Sequence, residues 1–208
     1  MTILTAFASR SSIAVARSLH RCLNATSLAL IAAAALACLA PAPAVAQESH
    51  LANGDMEAGG DIPDGWRARG EAKLSRDTEI FAPAPKGASA VSNASLRIEL
   101  SGGNSGGGAM QKLDPAPTGA VHITGTARVE GSLERVQVAL QHFDTEWKQA
   151  GWKVVASFTP AADGKGEWKD FSATIKDLPA NATNVVLVVT GKGTGKIWID
   201  NLVVESGK

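Results

Sequence analysis

The 208-residue chain has no tyrosine, and its two cysteines, Cys22 and Cys38, both stand within the first 46 residues. If that stretch is a leader, the remainder can form no disulfide and no cysteine-ligated zinc site. An excess of one charge sign is also missing, with twenty Lys+Arg against twenty Asp+Glu. Without a basic field, nucleic acid is not an expected partner. Beyond residue 46 no segment combines a long helical period with capping residues. Nor is any apolar run there long enough to span a bilayer.

The first 46 residues have the make-up of an export signal. Arg10, Arg17 and Arg21 stand there without an acidic residue, followed by an apolar run of thirteen from Leu28 to Ala40. Ala44-Val45-Ala46 then precedes Gln47. A basic region, a short apolar region and an A-x-A site predict cleavage after Ala46 and export of residues 47–208. Two other readings are a retained anchor and a lipoprotein signal ending at Cys38, although Ala35 stands where the latter motif has a larger aliphatic residue. Loss of the leader removes three bases and no acid, so 162 residues with a net charge of −3 remain. That length suits one domain with a sizeable core.

What is present is short β-like runs separated by Gly, Pro, Asn and Asp. Residues 94–100 place Leu96, Ile98 and Leu100 on one face. Residues 121–130 alternate, with Val121, Ile123, Gly125, Ala127 and Val129 inward and His122, Thr124, Thr126, Arg128 and Glu130 outward. Residues 135–143 repeat the pattern, with Val136, Val138 and Leu140 inward and Gln137, Gln141 and Phe143 outward. Val154, Ala156 and Phe158 mark one further strand, and Phe171, Ala173 and Ile175 another. The continuous apolar run Val185 to Val189 predicts a strand covered on both faces. Thr190 to Lys196 reads as a glycine-rich hairpin into a last strand over 195–205. With less regular strands near 52–57, 72–76 and 108–113, the chain predicts an all-β sandwich or jelly roll of about nine or ten antiparallel strands.

The last strand changes its apolar phase, from Ile197 and Ile199 to Leu202 and Val204, across Asp200-Asn201. Such a change predicts a bulge. Asp200 is then a carboxylate in apolar surroundings that must be paired, bound to a metal or placed at an exposed edge. Its expected counterpart is Asn53-Gly54-Asp55-Met56-Glu57 near the start of the mature chain.

Several catalytic-looking strings fail on context. Gly103-Asn104-Ser105-Gly106-Gly107 fits G-x-S-x-G, but a strand-like run follows where a nucleophile elbow needs a helix. Gly195-Lys196 lacks the rest of a P-loop. His50, His122 and His142 have no zinc-binding spacing. Asp144 and Glu146 fall in a turn and Asp170 precedes a core strand, a poor start for a glycosidase pair. Asn93-Ala94-Ser95 and Asn181-Ala182-Thr183 are glycosylation sequons.

The opening Leu51-Ala52-Asn53-Gly54-Asp55-Met56-Glu57 and Pro63-Asp64-Gly65-Trp66, then Ser95-Leu96-Arg97-Ile98, Gln111, Glu167-Trp168, Phe171 and the closing Ile199-Asp200-Asn201, follow one another in order. In these residues the chain resembles the CenC-type carbohydrate-binding modules, of the galactose-binding-domain-like jelly rolls. Met56 stands where that family usually has Phe, an exchange a core tolerates. The resemblance implies a non-catalytic sandwich, often with a structural calcium, and a concave sheet face that binds sugar chains in many members. It assigns Trp66, Trp168 and Phe171 to the core. It places Glu57 and Asp200 at the family's acidic positions with Asp55 close by, so these three are the expected calcium ligands. Calcium takes six to eight hard oxygens. The alternative is that Glu57 and Asp200 cap turns or pair with lysines.

Sugars are held by flat aromatic faces together with planar polar groups. The expected binding residues are therefore Gln137, Gln141 and Phe143 on the outward face, with Trp147 and Trp152 flanking the turn that follows. A solvated strand face explains the glutamines equally well, and the two tryptophans could fold back on the sandwich edge. His122 and Arg128 are explained by alternation alone. The leading expectation is an exported, non-catalytic module binding a polysaccharide or oligosaccharide. The alternatives are a secreted or periplasmic protein-interaction module and a small glycoside hydrolase.

Overall fold

The computed structural model describes residues 49–85, 92–103, 106–158 and 165–207. The leader expected over residues 1–46 lies outside them, and so do Asn104 and Ser105 of the glycine-rich loop. The described residues form eight strands and no helix. They are β1 (Arg67–Gly70), β2 (Lys73–Asp77), β3 (Ser95–Ser101), β4 (Gly107–Lys112), β5 (Val121–Phe143), β6 (Gln149–Phe158), β7 (Lys165–Ile175) and β8 (Asn184–Ser206). All their pairings are antiparallel. The expected all-β sandwich is what the chain forms.

The strand count falls below nine or ten because two expected breaks are not breaks. Residues 121–130 and 135–143 are one strand, β5, and 185–189 runs into the last strand as β8. The glycine-rich stretch 190–196 is no hairpin. It stays paired with β5 throughout, from Gln137↔Thr190 to Glu130↔Lys196. Residues 52–57 are turns rather than a strand, since Asn53 (φ 50°) and Met56 (φ 59°) adopt left-handed backbone that cannot join a ladder.

The long β5–β8 ribbon organises the rest. Its C-terminal β5 half and N-terminal β8 half lie in the strand order β1-β4-β8-β5-β6. Its other halves lie in the order β2-β3-β8-β5-β7. Between the halves the ladder slips at Leu133/Arg135, where the inward phase of β5 moves from Val129 to Val136. The bulge lets both halves keep apolar residues in one core, since otherwise the second half would present its polar side. The second slip, between Thr124 and Thr126, faces Asn201 at φ 52°, as the phase change at Asp200-Asn201 predicts.

One apolar cluster fills the interior. It takes Leu96, Ile98 and Leu100 from β3, Val121, Ile123, Val129, Val136, Val138 and Leu140 from β5 and Val185, Leu187, Ile197 and Leu202 from β8. Met56 is fully buried in it, and the opening turn is tied to β8 by Leu202 N–H donating to Gly54 O at 2.9 Å. Trp66 and Phe171 pack as expected, Phe171 against Phe158 at 6.0 Å. Trp168 does not. It stands opposite Arg128, which faces outward, because the ladder runs without a slip from Phe171 to Trp168 and an odd spacing of three puts the two rings on opposite faces. Val154, on the strand that also carries buried Phe158, is 44% exposed because the slip at Val138/Ala139 turns it out.

Candidate functional site

The outward face of the β1-β4-β8-β5-β6 half carries the residues expected to bind sugar. Gln137, Gln141 and Phe143 share the odd phase of β5, and Trp152 on β6 is the register partner of Gln141. The face is not an open plate. Ala139 and Val188 lie in its middle row, yet each is 0% exposed. Arg69 on edge strand β1 and Trp152 on edge strand β6 meet over the intervening strands, with the guanidinium 5.6 Å from the ring centroid. This bar leaves a cleft on either side.

The first cleft, of about 630 Å³, is lined by Arg69, Gly107, Arg135, Gln137, Trp152, Thr190 and Lys192. The second, of about 530 Å³, is lined by Gly65, Arg67, Met110, Gln111, Lys112, Gln141, Phe143 and Trp147. The five expected residues are thus gathered on one face and divided between two clefts. Trp147 is 53% exposed, 5.4 Å from Phe143, with the Lys112 ammonium 5.5 Å from its ring. Its turn is held by Asp144, whose carboxylate accepts from the N–H of Glu146 and Lys148, both at 2.9 Å. The chain thereby holds a large aromatic face toward solvent on a rigid turn.

The two glutamines differ. Gln141 is nearly buried and its amide donates to Gln149 Oε1 at 2.9 Å, whereas Gln137 reaches only Ser157 Oγ at 3.4 Å. A further amide was not expected here. Gln111 is 4% exposed, lines the second cleft, and neither its Oε1 nor its Nε2 has a partner among the described residues. Gln111 is the register partner of core Leu187, so its amide lies on the inward side of β4 and is closed to solvent, where an unpaired carboxamide is costly. Arg67, Arg69, Lys112 and Arg135 were also missed. Arg67 and Arg69 alternate in sequence, but strand β1 is too short to register as a strand. His122 and Arg128 belong to the other half-sheet, where His122 Nδ1 lies 3.1 Å from Thr174 Oγ1 and Arg128 pairs with Glu130.

The expected calcium ligands form a different kind of site. Asp200 is fully buried, and its Oδ2 accepts from Ala82 N–H at 2.9 Å and the Ser92 hydroxyl at 2.8 Å. Its Oδ1 accepts from Asn201 N–H at 2.7 Å. Glu57 Oε1 accepts from Ala94 N–H at 3.1 Å, and its Oε2 lies 3.6 Å from Arg76. Asp55 is exposed and makes a long contact, 3.5 Å, with Glu57 N–H. Arg76 donates to the carbonyls of Met56 at 2.9 Å and Glu57 at 3.0 Å. The oxygens a hard cation would use are therefore filled by N–H and O–H donors and by a guanidinium. Among the described residues no three acidic, histidine or cysteine side chains gather as a metal cluster. This arrangement does not fit a calcium cage. Burial pushes the Asp200 carboxyl up to about 6, the three donors pull it back, and Glu57 adds to the rise.

The fold is similar to solved carbohydrate-binding modules. The C-terminal family 22 module of Clostridium thermocellum Xyn10B has a TM-score of 0.54 at 18% identity, over 69% of this chain and 86% of that one. The CBM22-1 xylan-binding domain of Paenibacillus barcinonensis Xyn10C has a TM-score of 0.58 at 13% identity, over 78% of this chain and 98% of that one. A family 16 carbohydrate-binding module has a TM-score of 0.51 at 16% identity, over 74% and 96%. No protein-family description and no curated protein sequence matches the chain. At such identities the likeness is one of fold, and the class it defines is the jelly-roll sandwich on which carbohydrate-binding modules are built.

Proposed function

We propose that this is an exported, non-catalytic module of the CenC type that binds a polysaccharide or oligosaccharide across the two clefts. The observation that carries the reading is Trp147, more than half exposed, standing beside Phe143 over a cleft that Arg67 and Gln141 also line. Aromatic faces take the C–H side of a pyranose while amides take its hydroxyls. Trp152 and Gln137 supply the same pairing in the first cleft. The test is a binding panel of soluble and insoluble polysaccharides, including xylan and galactan. Saturable binding to one glycan class, weakened at least about tenfold by Trp147→Ala, supports the reading. A cooperatively folded protein that binds nothing in the panel would move it to a protein-interaction module. Turnover abolished by a single carboxylate substitution would make it a glycosidase.

Calcium, which the CenC resemblance implies, is proposed to be dispensable. Arg76 already joins the carbonyls and the carboxylate that would hold a cation. Chelator is expected to change Tm by less than about 1 °C, since a ligand bound to the native state at a hundredfold its Kd would stabilise by about 2.7 kcal/mol. A fall of several degrees, reversed by calcium, would restore the metal.

A further inference from the structure

The two clefts share a property that aromatic stacking on a neutral sugar does not require. Arg69, Arg135 and Lys192 line the first, Arg67 and Lys112 line the second, and no carboxylate lines either. The chain as a whole balances its charges, so this is segregation rather than composition. The other half-sheet shows the contrast. Along one of its rows Lys73, Glu99, Lys196 and Glu130 alternate across neighbouring strands, and Arg97 and Arg128 both have acidic partners.

Pairing sharpens the difference. Among the described residues only Lys192 of the five cleft cations has a carboxylate partner, Glu134 at 2.7 Å. Arg69 and Lys112 lie instead on the rings of Trp152 and Trp147. A guanidinium laid on an aromatic ring keeps its N–H fork free at the edge. That fork matches a planar carboxylate with two parallel hydrogen bonds. Arg135 is exposed in the same cleft. Unpaired like charges held on one concave surface repel one another and focus a positive field into the cleft. An anionic ligand relieves that repulsion and a neutral one does not.

We propose that the glycan bound here is an acidic one, a polysaccharide carrying hexuronate carboxylates, with Arg69 and Arg135 receiving the carboxylate beside the stacking face of Trp152. The inference rests on the carbohydrate-binding reading and names the ligand class of the same face. Polygalacturonate and its carboxyl-reduced form, in which each carboxylate is a primary alcohol, are the probes. Affinity is measured by titration calorimetry or retardation gels between about 20 and 300 mM salt, where screening of exposed charges changes most. The acid form is expected to bind at least about tenfold more tightly at low salt, with the advantage shrinking as salt rises. Arg135→Gln, an exposed position, is expected to cut that preference several-fold, whereas Lys73→Gln on the opposite half-sheet leaves it unchanged. Equal binding of the two forms, or a preference indifferent to Arg135→Gln, would overturn the acidic assignment while leaving carbohydrate binding in place. Dextran sulfate bound as tightly as polygalacturonate would overturn it in favour of general polyanion attraction. If neither form binds, and no other glycan does, both readings fall together.

Discussion

Gly131→Ala is expected to cost about 4 kcal/mol and to lower Tm by about 12 °C, given the usual scale for a domain of this size. Gly131 stands where β5 passes between the two halves of the sandwich, at φ 100°. An added Cβ there would lie 2.7 Å from Gly195 Cα and 2.8 Å from Thr194 O, both backbone atoms of β8. The left-handed backbone costs about 1–3 kcal/mol for a residue with a side chain, and forced overpacking a further 1–3. Neither neighbour can move without opening the ladder that carries both half-sheets. Two other glycines separate the terms. Gly119 has φ 72° but nothing within 4 Å of its added Cβ, so Gly119→Ala carries strain alone, about 1 kcal/mol. Gly60 has neither, and Gly60→Ala is expected to be neutral or to stabilise by up to about 0.5 kcal/mol. Urea midpoints at constant slope report the series. Equal losses at Gly131 and Gly119 would show that the crossing is not tightly packed.

The second large effect concerns Asp200 and is read against pH. The native carboxyl is raised to about 6 from an ordinary value of 3.8. Between those values the native state holds the proton more tightly than the unfolded chain, so stability falls as pH rises through the window. The loss amounts to at most about 3 kcal/mol at 1.36 kcal/mol per pH unit. Asp200→Ala is expected to abolish this slope. It also leaves the Ala82 N–H and the Ser92 hydroxyl without their acceptor, at about 1–3 kcal/mol for each buried donor. The penalty of Asp200→Ala is therefore largest at and below about pH 3.8, about 4 kcal/mol, and smallest once pH has risen past about 6. A penalty that grows with pH would refute the assignment.

Two other buried groups act in the opposite direction, so the variant must be compared with the parent at each pH. His142 is fully buried with neither ring nitrogen partnered among the described residues. Burial first, and Lys153 second, hold its pKa below 6.5. It contributes stability above 6.5 that is lost as pH falls below that value. Asp77 is lowered although burial alone would raise it. Trp198 Nε1–H, the backbone N–H groups of Glu79 and Ile80, and Arg97 together outweigh the burial. Its contribution is lost only as pH falls below 3.8. His142→Leu is expected to remove the part of the stability that is lost as pH falls below 6.5 while leaving the opposing Asp200 slope intact, a separation that thermal melts across pH resolve.

Much of this was legible in the sequence. The inward sets Val121 to Val129 and Val136 to Leu140 are local two-residue periods, and they identify core faces whatever they pair with. The phase change at Asp200-Asn201 forces a bulge for the same local reason. Gln137, Gln141 and Phe143 could be placed on one outward face because alternation fixes which side each takes. Short alternating runs separated by Gly, Pro, Asn and Asp also gave the all-β class. The tertiary structure alone decided whether glycine-rich residues 190–196 turn back or run on, since a hairpin and a bent strand use the same residues and differ only in the partner, here β5. It decided that Arg69 and Trp152 meet, because they stand on the two edges of a half-sheet whose strand order no local pattern encodes. It also decided what surrounds Asp200. Sequence can supply a buried carboxylate, but the donors that fill its lone pairs come from Ala82 and Ser92, brought there only when the β2–β3 connection packs against the end of β8. Periodicity is a property of neighbours along the chain, whereas a cleft and its charges are made by residues that only the completed ladder brings together.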